Sequence, residues 1–372
     1  MKRCRHGLGR AVPGILVGSR RAEEEWMPDN GEYRMYVGAY TADESKADGI
    51  RLAVADGTGA VRCTDVVHTA ADPSFLALSP DGSTLFAVSE VWEGRVLSFA
   101  VCDDGSLREV NSQPTLGSGP CHLSVHPSGR FLLTANYVSG NVVVHPVAEG
   151  GVLREPCHVV QHSGSGPSDR QDGPHAHQVL SDPTGKRVLA ADLGTDSVYV
   201  YDFDAESGHL AIRTEVTVAA GAGPRHLAFH PSGTRFYLLN ELALALTEVA
   251  YDPETGAAEA GRTLPTVPDD HREKSLAAEV VVSPDGRFAF ASNRGHDSIA
   301  VFGCDDFRLL GIHPAGVAGP RHIALSPDGA VLFAAGQDSG TLRALRVRGD
   351  GGLEPVGEPV ETPAPVCLLP VA

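Results

Sequence analysis

A phrase of two short apolar runs, joined by a turn that contains proline and glycine, recurs along this chain of 372 residues. Six copies are visible: FLALSPDGSTLFAVSE, HLSVHPSGRFLLTANY, QVLSDPTGKRVLAADL, HLAFHPSGTRFYLLNE, EVVVSPDGRFAFASNR and HIALSPDGAVLFAAGQ. Their prolines are Pro80, Pro127, Pro183, Pro231, Pro284 and Pro327, spaced by about 50 residues. Because proline presets φ and glycine accepts a positive φ, each phrase predicts a β-hairpin of two buried strands.

Each hairpin is followed by two further predicted strands. A polar link leads into an alternating run such as DSVYVYDFD, and a variable, more exposed stretch such as DDGSLREV follows it. Alternation of apolar and polar residues indicates a strand with one buried face. Four short antiparallel strands in each repeat of this length are typical of a propeller blade.

The two ends of the chain supply a seventh blade. RMYVGAYT at 34–41 and GIRLAVAD at 49–56 have the pattern of a second and a third strand, while PVCLLPVA at 365–372 has that of a first. Pairing of these ends closes the ring and removes two open sheet edges. The sequence therefore predicts an all-β, seven-bladed β-propeller over residues 34–372, with four antiparallel strands in each blade.

The first 33 residues lie outside this pattern. They begin with the basic run MKRCRHGLGR, and their apolar stretch AVPGILVG is too short for a secretory signal. We expect either a disordered extension or a mis-assigned start, with Met27 or Met35 as the alternative first residue.

Charge and cysteine content narrow the partners and the compartment. The formal net charge of −17 disfavours nucleic acid and anionic membranes, whose binding depends on basic patches. The seven cysteines are scattered without a CxxC spacing, which argues against a disulfide framework or a structural zinc site and favours the reducing cytoplasm. The chain has no apolar run of the roughly 18 residues that a membrane helix needs.

Polar residues recur just before the apolar core of each repeat. Five positions before the proline lie Phe75, His122, Gln178, His226, Glu279 and His322, and six positions before it lie Ser74, Cys121, His177, Arg225, Ala278 and Arg321. The innermost strand of each blade starts here, so residues far apart in sequence converge at one mouth of the channel. Packing alone needs only small or apolar residues at these positions, whereas a cluster of His, Arg and Glu suits acid–base chemistry on an anionic substrate.

The second strand of the repeat ends in charged residues in three copies: Glu90, Glu241 and Arg294. Each of these taken singly fits a solvated loop charge or a hydrogen bond between blades. The set of His177, Arg225 and Glu241 is harder to explain as scaffold, although propellers also serve as pure interaction platforms.

The phrases GPHAHQVLSDPTGKRVLAADLGTDSVYVYDFD, GPRHLAFHPSGTRFYLLNEL and SPDGRFAFASNRGHDSIAVF resemble the lactonase propeller family. That family includes bacterial 6-phosphogluconolactonases of the propeller type and a fungal carboxymuconate cyclase, and the resemblance covers essentially residues 34–372. It implies a seven-bladed ring with lactone chemistry at the channel mouth. It also implies a catalytic set of His177, Arg225 and Glu241, all of which are present.

Lactone hydrolysis needs an activated water, a stabilised oxyanion and a proton for the departing alkoxide. His177 or Glu241 is expected to activate the water, and Arg225 to stabilise the oxyanion. Neither a metal nor an organic cofactor is expected. Seven further residues are expected to contact the substrate, the two arginines and the last two histidines as donors to a phosphate: His122, His175, Glu279, Arg294, Arg321, His226 and His322.

These features predict a monomeric lactonase whose small-molecule substrate is a sugar lactone, chiefly 6-phospho-D-glucono-1,5-lactone of the pentose phosphate pathway. One alternative is a cycloisomerase of the muconate-lactonizing type, which would use the same three residues without a phosphate site. The other is a non-catalytic propeller that binds partners.

Overall fold

The computed structural model describes residues 32–42, 47–56 and 59–371. The predicted N-terminal extension lies almost wholly outside the described residues. Within them, β-strands account for nearly all regular structure, and the strands are β1 Tyr33–Ala39, β2 Gly49–Ala55, β3 Val61–Thr69, β4 Leu76–Leu78, β5 Thr84–Ser89, β6 Arg95–Val101, β7 Leu107–Pro114, β8 Pro120–Val125, β9 Phe131–Asn136, β10 Asn141–Ala148, β11 Val152–Leu153, β12 His158–Gln161, β13 Ala176–Ser181, β14 Arg187–Asp192, β15 Ser197–Phe203, β16 Leu210–Thr217, β17 Pro224–Phe229, β18 Arg235–Asn240, β19 Ala245–Tyr251, β20 Ala258–Pro265, β21 Leu276–Val282, β22 Phe288–Arg294, β23 Ser298–Gly303, β24 Arg308–Pro314, β25 Pro320–Leu325, β26 Val331–Gly336, β27 Thr341–Val347, β28 Leu353–Glu361 and β29 Pro365–Val371. A single 3₁₀ turn, Glu149–Gly151, lies in the described part between β10 and β11.

The strands form seven antiparallel sheets, which confirms the predicted seven-bladed propeller. Blade 1 contains β4–β7, blade 2 β8–β12, blade 3 β13–β16, blade 4 β17–β20, blade 5 β21–β24 and blade 6 β25–β28. Blade 2 departs from the four-strand pattern because its outer edge is split, with β11 and β12 both paired to β10.

Blade 7 joins the two ends of the chain. Its order is β29, β1, β2, β3, and Tyr36 of β1 lies opposite Leu369 of β29. This is the closure that the terminal apolar runs predicted. The innermost strands β4, β8, β13, β17, β21, β25 and β29 contact one another in that order, and β29 returns to β4, so they surround one central channel.

The hydrophobic core lies between the blades. Seven apolar clusters are present in the described residues, and each joins two neighbouring blades. Between blades 2 and 3, for example, Phe131 and Tyr201 are buried in one cluster. Burying one such large side chain contributes roughly 2 kcal/mol, so the ring is stabilised at every blade boundary.

The repeated turn has the geometry that its residues favour. In blade 1 the Gly82 N–H donates to Ser79 O at 2.8 Å, and Gly82 has a φ of 67° that glycine adopts without strain. Asp81 Oδ1 accepts hydrogen bonds from the Ser79 hydroxyl at 2.6 Å and from the Ser83 N–H at 3.1 Å. These bonds hold the two inner strands in register. Among the described residues, no helix is long and apolar enough to cross a membrane.

Candidate active site

The innermost strands carry β-bulges at the residues that the repeat singled out. In β17, Pro224 pairs with Asn240 and His226 pairs with Leu239, so Arg225 lies between them without a partner of its own. A bulge re-aims a side chain out of the strict two-residue alternation. Arg225 and the adjacent His226 therefore both line the channel cavity. The same irregularity falls at Cys121, His177 and Arg321 in β8, β13 and β25.

Three guanidinium groups converge on the carboxylate of Glu241, which directly follows β18. Arg225 Nε and Arg294 Nη2 lie 3.1 Å and 3.0 Å from Glu241 Oε2. Arg170, from the loop between β12 and β13, places Nη2 at 3.2 Å from Glu241 Oε1 and also donates to the Tyr137 hydroxyl at 2.9 Å. One buried carboxylate thus fixes cations from three separate parts of the chain.

The charges of this cluster keep Glu241 ionised. Burial alone would raise the pKa of Glu241, but Arg294, Arg225 and Arg170 outweigh it and hold the pKa below its ordinary value. Burial lowers the pKa of Arg294 to about 10 and lowers that of Arg225 as well. Both remain cations at neutral pH, so positive charge is in excess here.

His177 is a buried, neutral imidazole beside this cluster. Burial, with the charge of Arg225 as the second cause, holds its pKa well below the ordinary value. Its Nδ1 lies 3.8 Å from Cys121 Sγ, and its ring meets those of Tyr137 and His226 edge-on at 5.4 Å and 5.1 Å. Its Nε2 makes no hydrogen bond within the described residues, so this nitrogen is available to take a proton from water.

The inner ring of polar residues mostly joins blades. His122 Nδ1 accepts a hydrogen bond from Val179 N at 3.4 Å, and His322 Nδ1 accepts one from Leu368 N at 3.3 Å. Gln178 holds β17 in the same way, at 2.7 Å. Each side chain satisfies a backbone group of the next blade. The geometry of His122 thus explains its presence without a ligand, and contact with substrate stays a prediction for it.

Glu279 links two of these histidines across the cavity. His226 Nδ1 lies 2.9 Å from Glu279 Oε1, and His322 Nε2 lies 3.3 Å from Glu279 Oε2. Burial raises the pKa of Glu279 and lowers that of His322 to about 4. The buried Nε2 of His226 has no partner within the described residues.

A second carboxyl group, Glu90, lies three blades away at the end of β5. Its Oε2 accepts hydrogen bonds from the Ser74 hydroxyl at 2.5 Å and the Tyr40 hydroxyl at 3.0 Å. Arg321 donates to the same Tyr40 hydroxyl at 2.8 Å and covers the Tyr40 ring at 5.2 Å. Burial raises the pKa of Glu90, and the cation of Arg321 opposes that shift without cancelling it.

One cavity at the channel mouth joins the two carboxyl regions. Its lining residues are Tyr40, Ser74, Phe75, Glu90, Cys121, Arg225, His226, Glu279, Arg321, His322 and Val366. His177 and Glu241 lie behind this lining, where they contact Cys121 and Arg225 respectively. Across the described ranges, no group of His, Cys, Asp and Glu is arranged to hold a metal ion.

The structure brings together most of the residues predicted from the sequence. His175 lies at the rim, where its ring stacks on Tyr137 at 4.6 Å and its Nδ1 lies 2.9 Å from Tyr137 O. Three further residues of the site were not predicted from the sequence: Arg170, Tyr137 and Tyr40. Arg170 lies in the loop at 162–175, which has no periodicity to mark it, and Tyr40 follows the apolar run of β1.

The propeller fold and the polar residues at its channel mouth agree with the result of a comparison with known proteins. The family model described as lactonase, seven-bladed β-propeller, matches residues 34–370. The chain belongs to this lactonase family and is thus an enzyme of the class that hydrolyses carboxylic esters.

Particular relatives carry more specific names. A 6-phosphogluconolactonase of Bacillus subtilis is 33% identical over 345 residues, which cover 91% of this chain and 98% of the relative. One from Pectobacterium carotovorum is 32% identical over 269 residues, covering 70% and 77%. The solved periplasmic gluconolactonase of Pseudomonas aeruginosa superposes with a TM-score of 0.85 at 31% identity, covering 92% of this chain and 99% of that one.

Proposed function

We propose that this lactonase opens a sugar lactone, and that its main substrate is 6-phospho-D-glucono-1,5-lactone, hydrolysed to 6-phosphogluconate in the pentose phosphate pathway. The observation that carries the proposal is the excess of positive charge at the channel mouth. Three arginines contact the single ionised carboxylate of Glu241, in a chain with a net charge of −17. Such a site attracts an anion and stabilises negative charge that develops during reaction. The names of the relatives support the same substrate.

Arg225 is suited to bind the oxyanion. It is buried, its Nε is held by Glu241, and its Nη1 donates to Ala278 O. Its Nη2 has no partner within the described residues. A donor fixed in advance in a water-poor cavity stabilises the tetrahedral oxyanion without reorganising.

His177 is the better of the two predicted bases. A base must offer an atom to the water, and both carboxylate oxygens of Glu241 are already in contact with guanidinium groups. His177 is already neutral at neutral pH and has a nitrogen available for water. We therefore assign water activation to His177, and to Glu241 the positioning of the arginines.

We assign recognition of the phosphate to Arg170, because Arg294 is already engaged with Glu241 and Ala277 O. Of the predicted phosphate donors, Arg321, His226 and His322 lie inside the cavity and are engaged with Tyr40 and Glu279. Arg170 has a side chain that is 47% exposed, and it lies directly over Glu241. Because Glu241 keeps two other cations, Arg170 can turn to a phosphate and leave that carboxylate paired.

The test is hydrolysis of freshly generated 6-phosphogluconolactone by the purified protein with a chelator present, beside glucono-1,5-lactone without phosphate. We expect a strong preference for the phosphorylated lactone and no effect of the chelator. Weak and equal rates on both lactones would contradict the proposal and direct attention to the cycloisomerase or the binding propeller.

We also propose that the enzyme works as a monomer in the cytoplasm. Its partner is the small-molecule lactone, and we expect it to bind neither nucleic acid nor a membrane. Pairing of β1 with β29 closes the ring without a second chain, and the six cysteines within the described residues are free thiols. Light scattering checks the first point, with a mass near 39.0 kDa expected and a multiple of it contradicting the proposal.

A further inference from the structure

Ring opening needs a proton donor at the ring oxygen. When the bond between the carbonyl carbon and the ring oxygen breaks, that oxygen departs as an alkoxide, which leaves slowly unless an acid protonates it. His177, which holds the proton taken from water at that point, is one candidate donor, and a carboxyl group that lines the cavity is the other. Glu241 is ionised by its three arginines and carries no proton to give.

Glu90 has the geometry of such a donor. Both hydroxyl groups that contact it, from Ser74 and Tyr40, bind the same oxygen, Oε2. Its other oxygen, Oε1, makes no hydrogen bond within the described residues. The side chain lines the cavity that Arg225 also lines. A carboxyl group held by one oxygen, with the other directed at no protein group, is placed to serve a ligand.

We propose that Glu90 is a second catalytic residue, the general acid that protonates the departing ring oxygen of the lactone. This inference rests on the proposed function. His177 takes one proton from water as the hydroxide adds to the carbonyl carbon. The C–O ring bond then breaks, and Glu90 gives its proton to the ring oxygen, which becomes the new hydroxyl group. His177 then releases its proton to solvent, Glu90 takes one up from solvent, and the product acid loses its own proton to solvent.

The surroundings of Glu90 keep it available as an acid. The groups that face it are the hydroxyls of Ser74 and Tyr40, the cations of Arg321 and Arg225, and the buried thiol of Cys121. Burial raises the pKa of Glu90, whereas both cations lower it, and the net direction is upward. The cations stabilise the carboxylate once the proton has left, so the transfer does not leave an uncompensated negative charge in the cavity.

The test replaces Glu90 by glutamine, which keeps an acceptor for Ser74 and Tyr40 but has no proton to donate. We expect Glu90→Gln to lower kcat at least tenfold on an alkyl lactone such as glucono-1,5-lactone and to remove the alkaline limb of the pH–rate profile. A lactone with a phenolic ring oxygen, such as dihydrocoumarin, has a leaving group that needs little protonation. The variant should lose less than threefold on that substrate.

Glu215→Gln is the matched control, because Glu215 also accepts a serine hydroxyl, from Ser197 at 2.6 Å, but on the outermost strand of blade 3. It should keep the wild-type rate. An equal loss on both lactones, or an alkaline limb that survives in Glu90→Gln, would overturn the inference and leave Glu90 a structural residue. If the wild-type protein opens no lactone, the proposed function fails and this inference falls with it. If the wild type is active and Glu90→Gln equally so, this inference alone fails.

Discussion

The two carboxyl groups on opposite sides of the channel mouth have contrasting surroundings. Glu241 in blade 4 contacts three guanidinium groups, and its pKa lies below the ordinary value. Glu90 in blade 1 is bound by two neutral hydroxyl groups, and its pKa lies above that value. Glu241 is buried and Glu90 is half-buried, and each directly follows the second strand of its blade. The neighbouring charges, and not the residue type or its place in the repeat, separate their roles.

This contrast assigns a different task to each region. Fixed cations stabilise negative charge only if something holds them in place, and Glu241 does that for Arg225. A proton donor needs a carboxyl group that can be protonated, and the surroundings of Glu90 favour that form. Pairs of titratable groups whose environments push their pKa values apart are typical of active sites.

The largest effect is expected from Arg225→Lys. Lysine keeps the charge but lacks the planar guanidinium group, which can contact Glu241 and the substrate at the same time. We expect kcat to fall about 100- to 1,000-fold, as for loss of one oxyanion donor. Steady-state kinetics on the preferred lactone measure it, and Arg213→Lys at the exposed edge of blade 3 serves as control. A loss of less than fivefold would remove Arg225 from oxyanion binding.

Glu241→Gln is expected to affect stability as well as activity. It leaves the buried guanidinium of Arg225 without its counter-charge, which costs on the order of 3 kcal/mol in the free energy of unfolding at pH 7. Urea unfolding measures this cost. Glu248→Gln, which breaks a partly exposed pair with Arg235, should change that free energy by less than about 1 kcal/mol. Equal costs for the two variants would contradict the role given to Glu241.

The pH dependence of stability should differ in sign between the two carboxyls. The folded pKa of Glu241 lies below its usual 4.5, so its contribution is present above pH 4.5 and is lost as the pH falls through the folded value. The folded pKa of Glu90 lies above 4.5, so its contribution is present below pH 4.5 and is lost as the pH rises through the folded value. Compared with wild type, Glu90→Gln should therefore gain stability as the pH rises, whereas Glu241→Gln should lose it. The same direction of change for both variants would be evidence against the contrast.

The smallest effect is expected from Arg170→Met, and it should be selective. Removal of this exposed cation should lower kcat/KM for the phosphorylated lactone about tenfold and change that for glucono-1,5-lactone less than twofold, because one charge-assisted contact contributes on the order of 1.5 kcal/mol. Arg154→Met, another exposed position near blade 2, is the control. If Arg170→Met lowers both rates alike, Arg170 positions Glu241 and does not recognise phosphate.

Most of the fold could be predicted from the repeat in the sequence. The Pro-Gly turns and the apolar ends of the chain were enough to predict seven blades and the pairing of β1 with β29. The split outer edge of blade 2 was not predictable, because β11 and β12 are too short to show a period.

The site was only partly predictable. Arg225 and His177 stood out because they break an apolar pattern, and the bulge in β17 explains how Arg225 and His226 both line one cavity. The roles of Glu90 and Glu241 depend on charged residues that the fold brings close to them from other blades. Arg170, for example, contacts Glu241 although the two are 71 residues apart in sequence. Contacts of that kind leave no local pattern.

The most direct test of this division of roles is the titration of the two carboxyl groups in the wild-type protein. Carbon-13 NMR of glutamate labelled at the side-chain carboxyl measures it, with Glu90→Gln and Glu241→Gln assigning the two signals. We expect the Glu90 carboxyl to titrate above pH 4.5 and the Glu241 carboxyl to stay ionised below that pH. A Glu241 signal that titrates at the higher pH of the two would contradict this division of roles.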